Sequence, residues 1–233
     1  MESSAEKSMS YSINSLYDAY NSVKERKGNR LDGMKRWDRE IYYYDTAADF
    51  EIEKFAGRFL HLLSEEMKLK KKNNVLFLCI GTDRSTGDSL GPLIGYKLNE
   101  SGIKNARVIG TLDHPVHALN LEYSVKRAEK LYSDSIVVAV DASIGNLEHI
   151  GYVTMGRGSL KPGLGVRKNL DAVGDMFITG IVSTTMDGDP FLLQSVRLSV
   201  VMRLADCISR SILLGMNIIE KTVDNFLSEA SSL

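Results

Sequence analysis

The stretch VLFLCIGTDRSTGDSLGP, residues 75–92, decides the fold. It begins with an apolar run that Gly81 ends, continues through a polar turn, and returns to apolar periodicity after Pro92. This pattern is typical of a buried parallel strand, a loop and a helix. Open α/β sheets carry their sites where such loops leave the carboxyl ends of strands, and Asp88 stands at that place. The pattern leaves two roles open for Asp88, a helix cap and a catalytic group.

The remaining chain continues the alternation of strands and helices. The predicted helices cover residues 47–70, 116–132, 191–214 and 217–227, and the predicted strands cover residues 75–80, 106–110, 135–140, 150–155 and 176–182. Short links between such elements favour a mostly parallel sheet with both faces covered. We therefore expect an α/β fold, a three-layer α/β/α architecture with a mostly parallel central sheet, phosphorylase/hydrolase-like.

The domain organisation follows from composition along the chain. Residues 1–45 are polar and mixed, and they predict a weakly ordered N-terminal arm whose tyrosine cluster docks on the domain. Residues 46–233 predict a single α/β domain. Within it, the loop RGSLKPGLGVRKNLDAV, residues 157–173, is longer than most connections, and such loops are usually functional or mobile.

Composition excludes several classes of protein. The 233 residues carry a net charge of −1, which gives no electrostatic case for a nucleic-acid binder. Both cysteines, Cys79 and Cys207, lie in apolar runs, which favours free thiols in a reducing compartment. The N-terminus lacks a signal-peptide pattern, and charges interrupt the longest apolar segment, residues 191–214, so we expect a cytoplasmic protein that does not span a membrane.

Two carboxylates are predicted at one edge of the sheet. Asp141 follows directly on the apolar run 135–140, and Asp88 follows the loop after Ile80. If the two strands are neighbours, the side chains converge, and one of two close carboxyl groups retains a proton at neutral pH. Such a pair can activate a water and protonate a leaving amine, as peptide hydrolysis requires. The spacing alone supports a catalytic pair and two structural aspartates equally.

Other reactive arrangements have less support. His114 and His117 have a spacing that could hold a metal if both lay in a helix, but such histidines are more often inert. Cys79 lies inside a strand, where burial would raise the pKa of its thiol and disfavour a Cys–His nucleophile. The chain contains no G-x-S-x-G elbow, and the turn after Gly81 lacks the Lys-Ser or Lys-Thr of a P-loop.

Three segments together resemble the germination protease family, which degrades small acid-soluble proteins in bacterial spores. They are GTDRSTGDSLGP at 81–92, VVAVDAS at 137–143, and KPGLGVRKNL at 161–170 followed by ITGIVS at 178–183. The family carries T-P-D-A-L-G-P after one strand, a strand that ends in I-D-A, and then P-G-S-G-V-x-N-K. Residues 47–215 also resemble a smaller family of sporulation proteins thought to be spore proteases. Hydrogenase maturation endopeptidases, which share the α/β/α architecture, are more distantly similar.

The resemblance implies roles for the residues of these motifs. Asp88 and Asp141 correspond to the two catalytic acids of the germination protease. Gly87 and Ser89 replace the proline and alanine that flank the first acid in that family. The hydrogenase-type enzymes hold a metal with a Glu, an Asp and a later His, but no histidine follows His149 here, so no metal ligands are assigned.

The same resemblance suggests supporting residues. Gly163 and Gly165 would border the cleft, and Lys168 would stand where the family's lysine stands, holding a substrate carbonyl or tuning the pKa of an acid. Arg84 and Ser143, which belong to the first two motifs, would support the site or bind substrate.

The leading hypothesis is a sporulation-associated endopeptidase in the cytoplasm of the forespore or mother cell. It would use the aspartate pair, without a cofactor, on a protein or peptide substrate, and it would contact neither nucleic acid nor membrane. A homo-oligomer is left open. The alternatives are a non-catalytic binding or regulatory protein that retains the protease fold, and a metal-dependent maturation peptidase with His114 or His117 at the site.

Overall fold

The structure, a computed structural model, describes residues 41–47, 50–163, 170–184 and 193–230, with the backbone alone over residues 223–230. In chain order, the elements are β1 (Ile41–Asp45), α1 (Ile52–Lys70), β2 (Asn74–Cys79), a 3-10 turn (Gly87–Ser89), α2 (Leu90–Glu100), β3 (Ala106–Ile109), α3 (Leu121–Leu131), β4 (Ser135–Gly145), a second 3-10 turn (Leu147–His149), β5 (Tyr152–Arg157), β6 (Met176–Thr184) and α4 (Leu198–Ala230).

The six strands form one sheet in the order β1-β5-β6-β4-β2-β3. Strands β3, β2, β4 and β6 pair in parallel, whereas β5 is antiparallel to both β6 and β1. The predicted α/β fold with a mostly parallel sheet is therefore confirmed. The chain leaves β2 for β3 on one side and then crosses to β4 on the other side. Because the strand order reverses there, the carboxyl ends of β2 and β4 form the topological switch point of the sheet.

Side chains of β4 alternate between two apolar layers, as expected for a strand buried on both faces. Val138 and Val140 belong to the larger core cluster, against which α1, α2 and α4 pack. Ala139 belongs to a smaller cluster on the opposite face, which contains Leu121 at the start of α3 and Val173 from the loop before β6. The site residues after Val140 are therefore positioned by two packed layers.

The structure places several predicted boundaries differently. α3 begins at Leu121 and not at residue 116, and α4 begins at Leu198 and not at residue 191. β4 does not end before Asp141 but runs on to Gly145, because β6 continues to pair with it after β2 has ended at Cys79. The two predicted C-terminal helices form the single helix α4. Gly215, which lies between the two predicted ranges, is inside that helix at a close contact, where an added Cβ would stand 3.1 Å from a ring atom of Phe59.

The predicted N-terminal arm ends in an ordered strand. Residues 41–45 form β1, which pairs with β5 from Ile41 opposite Gly156 to Asp45 opposite Tyr152. Tyr42 packs against the larger core cluster. The last five residues of the predicted arm thus belong to the sheet, and residues 1–40 lie outside the described part of the chain.

Candidate active site

The two aspartates singled out by sequence lie at the switch point of the sheet. Asp141 is the first residue of β4 beyond Val140, whose partner Cys79 is the last residue of β2. Asp88 lies in the 3-10 turn that follows the loop after β2. Neighbouring parallel strands therefore bring both acids to one edge, as the alternation of strands and helices predicts.

The loop between β2 and α2 holds Asp88 by backbone contacts. Gly81 adopts a φ of +138°, and an added Cβ would stand 2.0 Å from the carbonyl oxygen of Asp88, so only glycine fits there. The N–H of Thr82 donates to that same carbonyl over 3.1 Å, and the N–H of Gly87 donates to the carbonyl of Leu193 over 2.7 Å. These contacts fold the loop back on itself and turn Asp88 toward the cleft.

Asp88 does not cap the helix that follows it. The residue at the N-cap of α2 is Ser89, which makes no side-chain cap hydrogen bond, and its hydroxyl donates instead to the carbonyl of Thr86 over 2.6 Å. Asp88 itself lies inside the short 3-10 turn. The capping role that the sequence left open is therefore not the role of Asp88.

Asp141 is the more enclosed of the two acids. It is 7% exposed, and its carboxyl oxygen Oδ1 accepts the N–H of Ala142 over 2.8 Å. On the next residue of the same face, the hydroxyl of Ser143 donates to the carbonyl of Gly180 over 3.3 Å. That bond ties the extension of β4 to β6 just before the register of the two strands shifts between Ser143 and Ile144.

The environment raises the pKa of both acids, and by different amounts. Burial raises the pKa of Asp141 well above its ordinary value, the nearby charge of Asp88 raises it further, and the N–H of Ala142 only partly opposes them. Burial also raises the pKa of Asp88, but the N–H of Thr82 and the ring of His117 both act to lower it. An effect of Asp88 on the pKa of Asp141 is expected for two carboxyl groups that line the same cleft.

Both acids line one cleft of about 1200 Å³. Three of the residues that the resemblance suggested, Arg84, Ser143 and Gly163, line the same cleft. Its walls carry many apolar side chains, namely Ile41, Ile80, Leu112, Pro115, Leu119, Ile144, Leu160, Leu170, Phe177 and Leu193. Gly165 and Lys168, also suggested by the resemblance, lie outside the described residues.

Two further residues of the cleft were not assigned to it from sequence. His117 was weighed only as a metal ligand, together with His114, but it lines the cleft and His114 is exposed outside it. Lys161, at the start of the loop after β5, brings a cation to the same walls. The local signal that could have identified His117 is Asn120, three residues on, whose side chain anchors the turn from which the ring projects.

Other reactive groups of the described chain lie away from this chemistry. Cys79 is fully buried in β2, and burial strongly raises the pKa of its thiol. No cluster of three or more His, Cys, Asp or Glu side chains suited to a metal ion occurs among the described residues. Likewise, none of the helices in the described ranges is long and apolar enough to cross a membrane.

Comparison with known proteins gives a family and one relative. Residues 40–211 match the model of a family described as "Protein of unknown function (DUF1256)". A relative from Bacillus subtilis (strain 168), called "Uncharacterized protein YyaC", is 38% identical over 197 residues, which cover 84% of this chain and 91% of the relative. No solved structure matches the chain significantly. The family match ends in α4 and includes both aspartates.

Proposed function

We propose that this chain, which belongs to the DUF1256 family, is an endopeptidase that hydrolyses peptide bonds with Asp88 and Asp141. The observation that carries the proposal is the pair itself: two close carboxyl groups of raised pKa in one cleft. The resemblance of three motifs to spore proteases extends the proposal to a role in sporulation, in the cytoplasm of the forespore or mother cell.

The asymmetry of the pair supports a separate role for each acid. Asp141, which is more buried and feels the charge of Asp88, is the group that keeps a proton near neutral pH. Asp88 is partly exposed and is helped toward ionisation by the N–H of Thr82, so it serves as the general base. Two carboxyl groups with separated proton affinities are what an acid–base mechanism on a peptide bond needs.

The reaction then proceeds in three proton transfers. Asp88 takes a proton from a water molecule while the water oxygen bonds to the peptide carbonyl carbon. Asp141 donates a hydrogen bond to the carbonyl oxygen as negative charge develops there, and then protonates the leaving nitrogen as the C–N bond breaks. The proton on Asp88 passes to Asp141 and restores the pair. The products are a new carboxyl group and a new amine, with one water consumed.

The cleft supports a peptide as the substrate. Its apolar walls are suited to side chains on either side of the bond that is cut, because burying such groups favours binding. Arg84 and Lys161 add two cations at the walls, which can hold carbonyl or carboxylate oxygens of the chain being cut. The proposal includes no cofactor and no nucleic-acid or membrane partner.

An unbiased peptide library tests the proposal. The wild-type protein is incubated with an equimolar library of unstructured peptides, and new termini are quantified by mass spectrometry. Asp88→Asn and Asp141→Asn should each reduce cleavage by about 10²- to 10⁴-fold, the usual contribution of a general acid or base. Asp113→Asn, which changes an exposed aspartate outside the cleft, should cleave like the wild type.

The outcomes also separate the main rival function. Cleavage that survives in both variants would refute the aspartate mechanism. Peptides retained by the wild-type protein without being cut, and released by neither variant, would favour a binding protein that keeps the protease fold. Cleavage abolished by a chelator and restored by a divalent ion would favour the metal-dependent peptidase.

A further inference from the structure

His117 projects into the cleft from a turn that is fixed on both sides. Its neighbour Val116 bridges to β2 at Ile80, and the carbonyl of Val116 accepts the N–H of Gly81 over 2.7 Å. The side chain of Asn120 accepts the N–H of His117 over 2.8 Å and donates to the carbonyl of Pro115 over 3.0 Å. The ring is therefore anchored to the same strand end as the loop that carries Asp88.

The contacts of the ring determine which nitrogen is free. The N–H of Leu119 donates to Nδ1 of His117 over 3.3 Å, so Nδ1 acts as an acceptor. A neutral imidazole whose Nδ1 accepts carries its hydrogen on Nε2. The ring thus offers the cleft a hydrogen-bond donor. A donor beside a carboxyl group stabilises the ionised form of that group.

We propose that His117 is a positioning residue whose Nε2–H side faces Asp88, keeps Asp88 ionised as the base, and leaves the shared proton on Asp141. The inference deepens the proposed function and rests on it. Burial acts on both acids in the same direction, so a donor at Asp88 widens the difference between their proton affinities. His117 and Asp88 line the same cleft, as this role requires.

The other charged side chains of the cleft have little effect on which of the two acids is ionised. Asp83 and Arg84 are exposed in the loop after β2, and Lys161 is exposed on the loop after β5. Water screens exposed charges strongly, so their effects on the pair are small beside that of a donor held at the acid. All three stay unchanged in variants of His117, and their contribution cancels in the comparison.

Two substitutions test the two ring nitrogens of His117 separately. His117→Gln places an amide NH₂ near the position of Nε2, so it keeps a donor for Asp88 and loses the acceptor for Leu119. His117→Asn places an amide oxygen near the position of Nδ1, so it keeps the acceptor and loses the donor. His114→Gln, at the exposed histidine of the same loop, is the matched control.

The first readout is the titration of the Asp88 carboxyl group by carbon NMR in the intact protein, which needs no substrate. The midpoint should move to higher pH in His117→Asn and stay close to the wild-type value in His117→Gln and His114→Gln. An unchanged midpoint in His117→Asn would overturn the inference. So would an equal shift in the Gln and Asn variants, because that would report only a loosened turn.

The second readout is the pH profile of kcat on the library peptide that the wild type cleaves fastest. In His117→Asn the acidic limb should move to higher pH, with about a tenfold loss of kcat on that limb and little change of KM. A rise of KM at every pH would instead make His117 a substrate contact and refute the positioning role. If Asp88→Asn and Asp141→Asn keep full activity, the proposed function fails, whereas a normal profile in His117→Asn refutes this inference alone.

Discussion

The environments at the two ends of the parallel sheet shift the pKa values of acidic side chains in opposite directions. At the carboxyl edge, neither Asp88 nor Asp141 forms a salt bridge within the described residues, and the pKa of each is raised. At the amino edge, Asp175 directly precedes β6 and meets Lys70 and Lys72. Burial raises the pKa of Asp175, but the hydrogen bond from Lys70 and the further contacts outweigh it, and the pKa lies below its ordinary value. We call these two regions the carboxyl-edge pair and the amino-edge acid.

The difference shows what each acid does for the protein. Asp175 also accepts the N–H of Val137 over 2.9 Å, so it ties the start of β4 to the end of α1 through Lys70. Every bond favours its ionised form, which is the arrangement of a structural acid. The carboxyl-edge pair gains no comparable stabilisation. Groups that lower the stability of the fold while sharing a cleft are characteristic of functional sites.

The largest expected effect is on activity, and it should be confined to one end of the sheet. Asp141→Asn keeps the acceptor for Ala142 but cannot protonate a leaving group, so kcat should fall by about 10²- to 10⁴-fold. Asp175→Asn should leave kcat within about threefold of the wild type at a temperature where the protein stays folded, because it lies outside the cleft. Single-turnover cleavage of the best library peptide measures both, and equal losses would erase the distinction between the two ends.

The next effect is on stability, and here the substitution at Asp175 should be the harmful one. Asp175→Asn should lower the free energy of unfolding by about 2 kcal/mol, because hydrogen bonds to charged groups contribute about 1.5–3 kcal/mol each and both lysines remain partly exposed to water. Urea unfolding measures the change. Asp134→Asn, at an exposed acid bonded by Asn74, is the control and should change little. A stability loss no larger than that of the control would contradict a structural role for Asp175.

Asp141→Asn should raise stability at neutral pH by about 1–2 kcal/mol, since functional sites often retain such a cost. The pKa of Asp141 is raised in the folded state, so the unfolded chain ionises first as pH rises above about 4 and the wild type loses stability there. The stability gained by Asp141→Asn should therefore increase with pH.

The pKa of Asp175 is lowered, so the stability it provides is present at neutral pH and disappears as pH falls below about 4. Urea midpoints measured across pH should show these opposite trends, and parallel curves for the two variants would argue against the assigned environments.

Much of the carboxyl edge is predictable from sequence, because local pattern determines it. The apolar run before Gly81 and the run before Asp141 each predict a buried strand, and sequential parallel strands bring their carboxyl ends together. The position of Asp88 inside a 3-10 turn was not predictable. It depends on Gly81, whose φ of +138° allows the loop to close on the backbone of Asp88.

The amino edge could not be read from sequence at all. Asp175 and Lys70 are 105 residues apart, and only the packing of α1 across the sheet brings them together. In the sequence, Lys70 is one of a run of lysines at a helix end, which is usually exposed to solvent. Similarly, nothing local indicates that β4 continues past Asp141, because the pairing that extends it comes from β6. Contacts between residues far apart in the sequence thus determine the environment of an acidic side chain, whereas the local sequence pattern determines only its position in the fold.

The smallest effect tests how much of the amino-edge acid depends on one lysine. Lys70→Met should lower the free energy of unfolding by about 0.5–1 kcal/mol, because the Lys70 side chain is 37% exposed and water screens the pair. Asp175 would keep Lys72, which also donates to the carbonyl of Ser135 over 3.0 Å, and the loss should therefore be partial. In a protein that already carries Asp175→Asn, Lys70→Met should lower the free energy of unfolding by less than it does in the wild type. The difference between the two losses, measured by urea unfolding, is the coupling energy of the pair. Lys126→Met, which breaks a fully exposed pair with Glu122 on α3, should leave the urea midpoint unchanged. Strict additivity of the Lys70 and Asp175 changes would mean that Asp175 is stabilised by Lys72 and its backbone contact with Val137, and the contrast between the two ends of the sheet would then not depend on Lys70.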